Sequence, residues 1–196
     1  IVDIDEYGDR NWHNTYGGKK EDVGKSIDAF SDNSFLLTCE TESFGRGKKD
    51  IWLLKIDSNG KTIWDNTFGG KKNDIYGSTL VYSNNSIFIS GQRPIKNKFS
   101  LRSILTFNSK KNSPESANYS SFIARLNGKG ETVWENDVFE DQKCITPYMT
   151  ILGKNILIAG QKSTPFNGSG DAWVISMNKK GEVLWDANFG GRGADG

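Results

Sequence analysis

The chain of 196 residues has one histidine, His13, and two cysteines, Cys39 and Cys144. With a single imidazole, any catalytic triad, histidine-based metal site or imidazole base would have to be built around His13. In the internal alignment given below, His13 stands where other copies carry Asp65, Glu135 and Asp186, the pattern of a solvated polar position. Two cysteines are too few for a disulfide framework. They fall in different repeats and on different strands, so no bridge is expected between them, because bonded Cα atoms must lie within about 7 Å. No apolar run approaches the roughly 20 residues of a membrane-spanning helix. No segment sustains the i, i+3, i+4, i+7 spacing of an amphipathic helix. Charge of one sign is missing as well: 25 basic side chains stand against 24 acidic ones, which removes the electrostatic argument for nucleic acid or an anionic membrane. The chain opens on Ile1 rather than methionine; this suggests processing or excision and leaves the question of an export signal open.

What the chain does have is repetition. Asp5-Glu6-Tyr7-Gly8 leads to Trp12, Asp57-Ser58-Asn59-Gly60 to Trp64, Asn127-Gly128-Lys129-Gly130 to Trp134, and Asn178-Lys179-Lys180-Gly181 to Trp185. The four tryptophans are 52, 70 and 51 residues apart, and a period of about 50 marks one supersecondary unit repeated in tandem, each copy burying a face against the next. The likeness continues past the indole: residues 12–22 read WHNTYGGKKED, residues 64–74 WDNTFGGKKND and residues 185–195 WDANFGGRGAD, whereas the copy at Trp134 has Val138-Phe139-Glu140 in place of an aromatic and two glycines. Upstream, Asp50–Ile56 aligns with Asp171–Met177 and with Ser120–Leu126.

Each unit reads as four strands. The first two flank a polar pair, Asp32-Asn33 or Asn84-Asn85, which predicts two-residue hairpins. The third and fourth flank the [Asp/Asn]-x-x-Gly run, which predicts a type I turn closed by a left-handed glycine. Four-stranded antiparallel units of this length in tandem predict an all-β fold, a β-propeller with about three and a half blades in this chain. The expected divisions are a half blade at 1–16, blades at 17–68, 69–138 and 139–189, and the start of a further repeat at 190–196, with an inserted loop at 94–119. Such a piece does not close a ring of about four to eight blades, so further blades or another chain are expected to complete it.

The wording LLKIDSNGKTIW over residues 53–64 resembles the tryptophan-docking repeat of pyrroloquinoline-quinone-type propellers. With W-x-x-T-[FY]-G-G and D-x-W-[LV]-[LI], the whole unit is similar to the tandem β-propeller repeats of secreted or envelope proteins of bacteria, notably the Bacteroidetes. The resemblance covers the chain apart from residues 94–119. It implies an extracellular or cell-envelope location and a binding or scaffold role, without a catalytic set.

Two groups of residues invite a functional reading. Trp12, Trp64, Trp134 and Trp185 recur at one place in the unit, while Trp52 and Trp173 align with Phe122 at another; this periodicity predicts docking between blades rather than a ligand platform. The second group is basic. In a four-stranded meander, the connection between strands two and three shares an end with the connection to the next blade. That rim is expected to collect Arg46, Lys48, Lys49, Lys71, Lys72, Arg93, Lys96, Lys98, Arg102, Lys110 and Lys111, with Phe107 in the inserted loop. Binding loops of repeat arrays usually share one face, and the partner expected here is a protein or a glycan. Gly17-Gly18-Lys19-Lys20 and Gly69-Gly70-Lys71-Lys72 lack the spacing of a phosphate-binding loop and read as strand connections. Asp22, Asp74 and Asp195 are expected to accept backbone N–H groups inside those connections. No cofactor is expected; calcium at these aspartates, or at Asp3 and Asp5, is the lesser alternative, because the alternating oxygen ligands of a calcium loop are lacking. The alternative reading of the whole is a fragment of a propeller enzyme, quinoprotein or glycan-active, with its reactive residues in blades outside this chain.

Overall fold

The computed structural model describes residues 1–94, 119–138, 144–163 and 170–190. These residues form fourteen strands, and among them there is no helix. Strands β1 (Val2–Ile4) and β2 (Arg10–His13) make a two-stranded half blade. Three four-stranded antiparallel sheets follow. Blade 1 comprises β3 (Asp22–Ala29), β4 (Phe35–Thr41), β5 (Asp50–Ile56) and β6 (Thr62–Phe68). Blade 2 comprises β7 (Ile75–Ser83), β8 (Ser86–Pro94), β9 (Tyr119–Leu126) and β10 (Thr132–Val138). Blade 3 comprises β11 (Cys144–Leu152), β12 (Asn155–Ser163), β13 (Gly170–Asn178) and β14 (Val183–Phe189). Every blade is an up-and-down meander in sequence order, so the chain is an all-β partial propeller of about three and a half blades.

Alternation along the third strand explains how the sheets stack. Side chains of a strand point to opposite faces in turn, and β5 is buried along its whole length. Ile51 and Leu53 point forward and join Ile87, Ile89, Phe122 and Leu126 of blade 2 in one cluster. Trp52, Leu54 and Ile56 point backward and meet Ile1, Trp12 and Tyr16 of the half blade. The same scheme sets Phe88 and Ile123 against Ile156, Trp173, Ile175 and Met177 of blade 3. A fully buried aliphatic side chain contributes about 1.5–3 kcal/mol, so these shared faces dominate the stability of the stack. Phe122 and Trp173 thus repeat the backward-facing role of Trp52.

The turns carry one correction. All four [Asp/Asn]-x-x-Gly runs form the predicted turn, with glycine at φ +89, +78, +77 and +89° for Gly8, Gly60, Gly130 and Gly181. In each, the glycine N–H donates to the carbonyl of the first residue, as from Gly60 to Asp57 at 3.0 Å. The first hairpin of blade 1 differs from expectation. Phe30 donates to the Ser34 carbonyl at 2.9 Å, and Asn33 takes φ 59°, so the loop has three residues, Ser31 to Asn33. Asparagine tolerates the left-handed region because its short polar side chain bonds locally. The second copy keeps the two-residue loop, with Ser83 opposite Ser86.

Candidate functional site

The junctions between sheets show what the recurring tryptophans do. The indole N–H of Trp12 donates to the Ser58 carbonyl at 3.1 Å, that of Trp64 to Gly128 at 3.0 Å and that of Trp134 to Lys179 at 3.2 Å. Each acceptor is the second residue of the glycine turn one unit further on. Asn14 and Asn66 add bonds to the carbonyls of Gly60 and Gly130 at 3.2 and 2.8 Å. The turn glycine is therefore required twice, once for its positive φ and once for contact. A methyl group at Gly60 would stand 2.8 Å from the Trp12 ring, and one at Gly130 would stand 2.7 Å from that of Trp64. Trp12, Trp64 and Trp134 thus each seat one unit on the turn of the next; Trp185 is 47 % exposed.

An open concavity lies elsewhere, at the rim. Arg46 from the β4–β5 connection, Gly69, Gly70, Lys71, Lys72 and Asp74 from the β6–β7 connection, and Arg93 near the end of β8 line one open cleft of about 810 Å³, floored by Phe68 and Phe122. The meander topology thus brings Arg46, Lys71, Lys72 and Arg93 together across the junction of blades 1 and 2. Lys48 is exposed on the same connection. Lys49 is committed elsewhere, to Glu21 at 3.1 Å and Glu42 at 3.6 Å. Lys96, Lys98, Arg102, Phe107, Lys110 and Lys111 lie outside the described residues, as does Asp195.

The charges in the cleft are not equivalent. Arg93 is clamped by Glu135 and Asp137 and lies 5.1 Å over the Phe122 ring. Burial works against its charge, but the bonds to Asp137 and Glu135 outweigh that and hold its pKa above the ordinary value. Arg46, Lys71 and Lys72 have no ion-pair partner among the described residues and are exposed. Among the rim cations, Lys49 and Arg93 are thus paired with acids of the scaffold. Glu135 was also expected to be merely solvated, along with Asp65. In the structure Asp65 accepts the Trp52 indole N–H at 3.0 Å. The signal that could have revealed these two is the acidic residue following each tryptophan in three of the four copies.

Below the cations are two buried carboxylates. Asp74 accepts from the Gly70 N–H at 2.8 Å, as Asp22 does from Gly18 at 2.7 Å, so both aspartates act inside their turns as expected. Burial pushes the Asp74 pKa up, with Asp50 and Glu135 adding negative charge against the opposing help of Gly70 and Arg93. Asp50, 1 % exposed, accepts from the N–H groups of Arg46 and Gly47 at 3.0 and 2.9 Å through Oδ2. Its Oδ1 packs where a methyl on Gly69 would come within 1.6 Å. Asp171 and Gly190 repeat this arrangement in blade 3. Sequence reasoning missed the pairing, although the aligned Asp50 and Asp171 before the strand-three aromatics signal it. Among the described residues no group of three or more His, Cys, Asp or Glu is placed to hold a metal. Cys39 is a free thiol whose pKa is pushed up to about 11 by burial and by the nearby Asp22, which leaves it unreactive at neutral pH.

Fold and rim together define a class, the β-propeller built from tryptophan-docked blades. No family model and no curated protein matches the chain. Among solved structures it is similar to a crystal structure of an ACO/RPE65 chimera, with 12 % identity and a TM-score of 0.49 over 85 % of this chain. It is also similar to a variant of that chimera in a trigonal crystal form, with 12 % identity and a TM-score of 0.48 over the same share. The chain covers 38 % of the length of each.

Proposed function

We propose that this protein is a non-catalytic recognition or scaffold propeller of the bacterial cell envelope or exterior that takes an acidic stretch of a protein or glycan in the cleft between blades 1 and 2. The observation that carries the reading is the division of charge there. Arg93 has its carboxylates, whereas Arg46, Lys71 and Lys72 line the same concavity unpaired among the described residues. Exposed, unneutralised cations raise the local concentration of anionic partners and speed encounter, and the effect weakens with salt. Half-buried Phe68 offers an apolar surface beside the charge. The cell-surface part of the proposal is supported by the resemblance of the repeats alone.

Titration with polyglutamate and with polygalacturonate at low and physiological salt tests the reading and separates the two chemistries. The triple variant R46A/K71A/K72A is expected to lose at least about tenfold in affinity for the preferred polyanion. The variant K19A/K20A, which alters the equivalent turn beside the half blade, is expected to bind as the parent does. Binding of neither polymer, or equal loss in both variants, counts against the cleft.

A further inference from the structure

Asp50 is the most deeply buried carboxylate among the described residues, and no cation among them is paired with it. Its Oδ2 is held by the N–H groups of Arg46 and Gly47, whereas its Oδ1, equally shielded from solvent, has no hydrogen-bond donor. A charge taken out of water is stable when it is paired or coordinates a metal, and the two main-chain bonds supply no countercharge. The neighbours of that free oxygen are themselves oxygens. A Cβ on Gly47 would stand 3.4 Å from Asp50 Oδ1, 2.7 Å from the Gly70 carbonyl oxygen and nearer still to that of Lys72. The point lies one bond from the Gly47 Cα and cannot itself hold an ion, but it marks where three acceptors converge within reach of one ion beside it. In the same connection Asn73 has a second buried side-chain oxygen without a donor. The full blades keep the aspartate and the glycines as a unit. In blade 3 a Cβ on Gly190 would collide with Asp171 Oδ1, and that oxygen also lacks a donor. Blade 2 has neither half: Ser120 stands in place of the aspartate, and Val138-Phe139-Glu140 in place of the aromatic and two glycines.

We propose that the floor of the cleft binds a hard divalent cation of calcium's size, held by Asp50 Oδ1 and the main-chain carbonyls of Gly70 and Lys72. The donor set selects the ion. One carboxylate and neutral oxygens, with no nitrogen or sulfur, suit calcium, magnesium or manganese rather than zinc or copper. Calcium fits best, because it tolerates irregular geometry and takes about six to eight oxygens at about 2.3–2.6 Å, with water completing the shell from the open side of the cleft. Three acidic side chains are not required where carbonyls supply the remaining oxygens. With one charged ligand the affinity falls at the weak end, a dissociation constant of about 0.1–1 mM. The bound ion ties the start of β5 to the β6–β7 connection that leads into blade 2. The site is independent of the polyanion reading, since it uses the buried oxygens beneath the cleft and none of the side-chain charges of Arg46, Lys71 and Lys72.

Calorimetric titration of the 196-residue chain with calcium chloride, after dialysis against a chelator, tests the proposal. Asp50→Asn keeps the shape of the side chain and an acceptor for Arg46 and Gly47 while removing the charge. It is expected to bind one calcium ion fewer per chain than the parent, with circular dichroism confirming that the fold is kept. Asp22→Asn, in the equivalent turn beside the half blade, is expected to bind as the parent does. A measurement on the unaltered chain locates the ion. Manganese, which takes the same oxygen ligands, is expected to broaden the amide resonances of Gly47, Gly70 and Lys72 before those of the acidic turn at Asp5 and Asp9. A parent that binds no calcium at about 10 mM, well above the expected constant, an Asp50→Asn chain with undiminished stoichiometry, or broadening that begins elsewhere would each overturn the proposal.

Discussion

Trp64 and Trp185 occupy the same place in the same motif, and one is wedged against a neighbouring turn while the other faces solvent. The Trp64 ring bounds Gly130 and its N–H is satisfied by Gly128; the Trp185 ring is nearly half exposed. Gly60 and Gly8 make the reciprocal pair on the receiving side, with the same left-handed backbone but opposite crowding. The comparison teaches that the motif encodes half an interface. Its energy appears only where the other half is supplied, which is why repeat arrays depend on what caps their ends.

The largest effect should come from breaking the wedged member. Trp64→Ala is expected to cost about 3 kcal/mol, at the low end for tryptophan truncation because the ring is only partly buried. Trp185→Ala should cost less than about 0.5 kcal/mol. Equal losses in chemical denaturation would show that the indoles stabilise their own sheets rather than the junctions. Next in size is the glycine pair. Gly8→Ala should cost about 1–2 kcal/mol from its left-handed backbone alone, and Gly60→Ala should add about 1–3 kcal/mol of overpacking against Trp12. A difference near zero would mean that Trp12 swings aside freely.

The smallest and sharpest comparison is between Asp22 and Asp74, equivalent residues with opposite titration. Burial opposes the charge of Asp22, but hydrogen bonds from Thr41, Gly18 and Ser43 prevail and hold its pKa below the ordinary 3.8. Burial prevails at Asp74 and its pKa lies above 3.8. By linkage, the stabilisation from Asp22 is complete above 3.8 and is lost as pH falls through the lower folded value. The contribution of Asp74 has the other sign: its charged form is unfavourable in the fold, and stability is regained as pH falls through the raised value toward 3.8. Denaturation midpoints at pH 7 and at a pH well below 3.8 should therefore show Asp22→Asn destabilised mainly at the higher pH, and Asp74→Asn with its penalty smallest there. The same pH dependence in both variants would remove the distinction.

Much of the fold is legible residue by residue. The [Asp/Asn]-x-x-Gly turns follow from side-chain acceptors and the one residue that takes positive φ freely, and the unbroken apolar run Ile51-Trp52-Leu53-Leu54 suits a strand buried on both faces. The first hairpin of blade 1 misled because Asp32-Asn33 looks like a complete two-residue loop, whereas Ser34 is drawn into the turn by the Asp32 carboxylate and Asn33 moves to the bulge position. The rim cleft was legible as topology but not as charge. That Arg46, Lys71, Lys72 and Arg93 share one end follows from the meander, but that Arg93 is held by Glu135 and Asp137, 42 and 44 residues away, is a matter of how blade 2 pairs its second and fourth strands across the third.

By itself, the sequence determined the repeat, the strands, the glycine turns and which aromatics recur at one place in the unit, because these depend on local backbone preference and on the repeat period. Only the tertiary structure decided which copies of a motif are satisfied and which cations are free. Burial and ion pairing depend on what the next sheet brings into contact, and copies of one motif meet different neighbours.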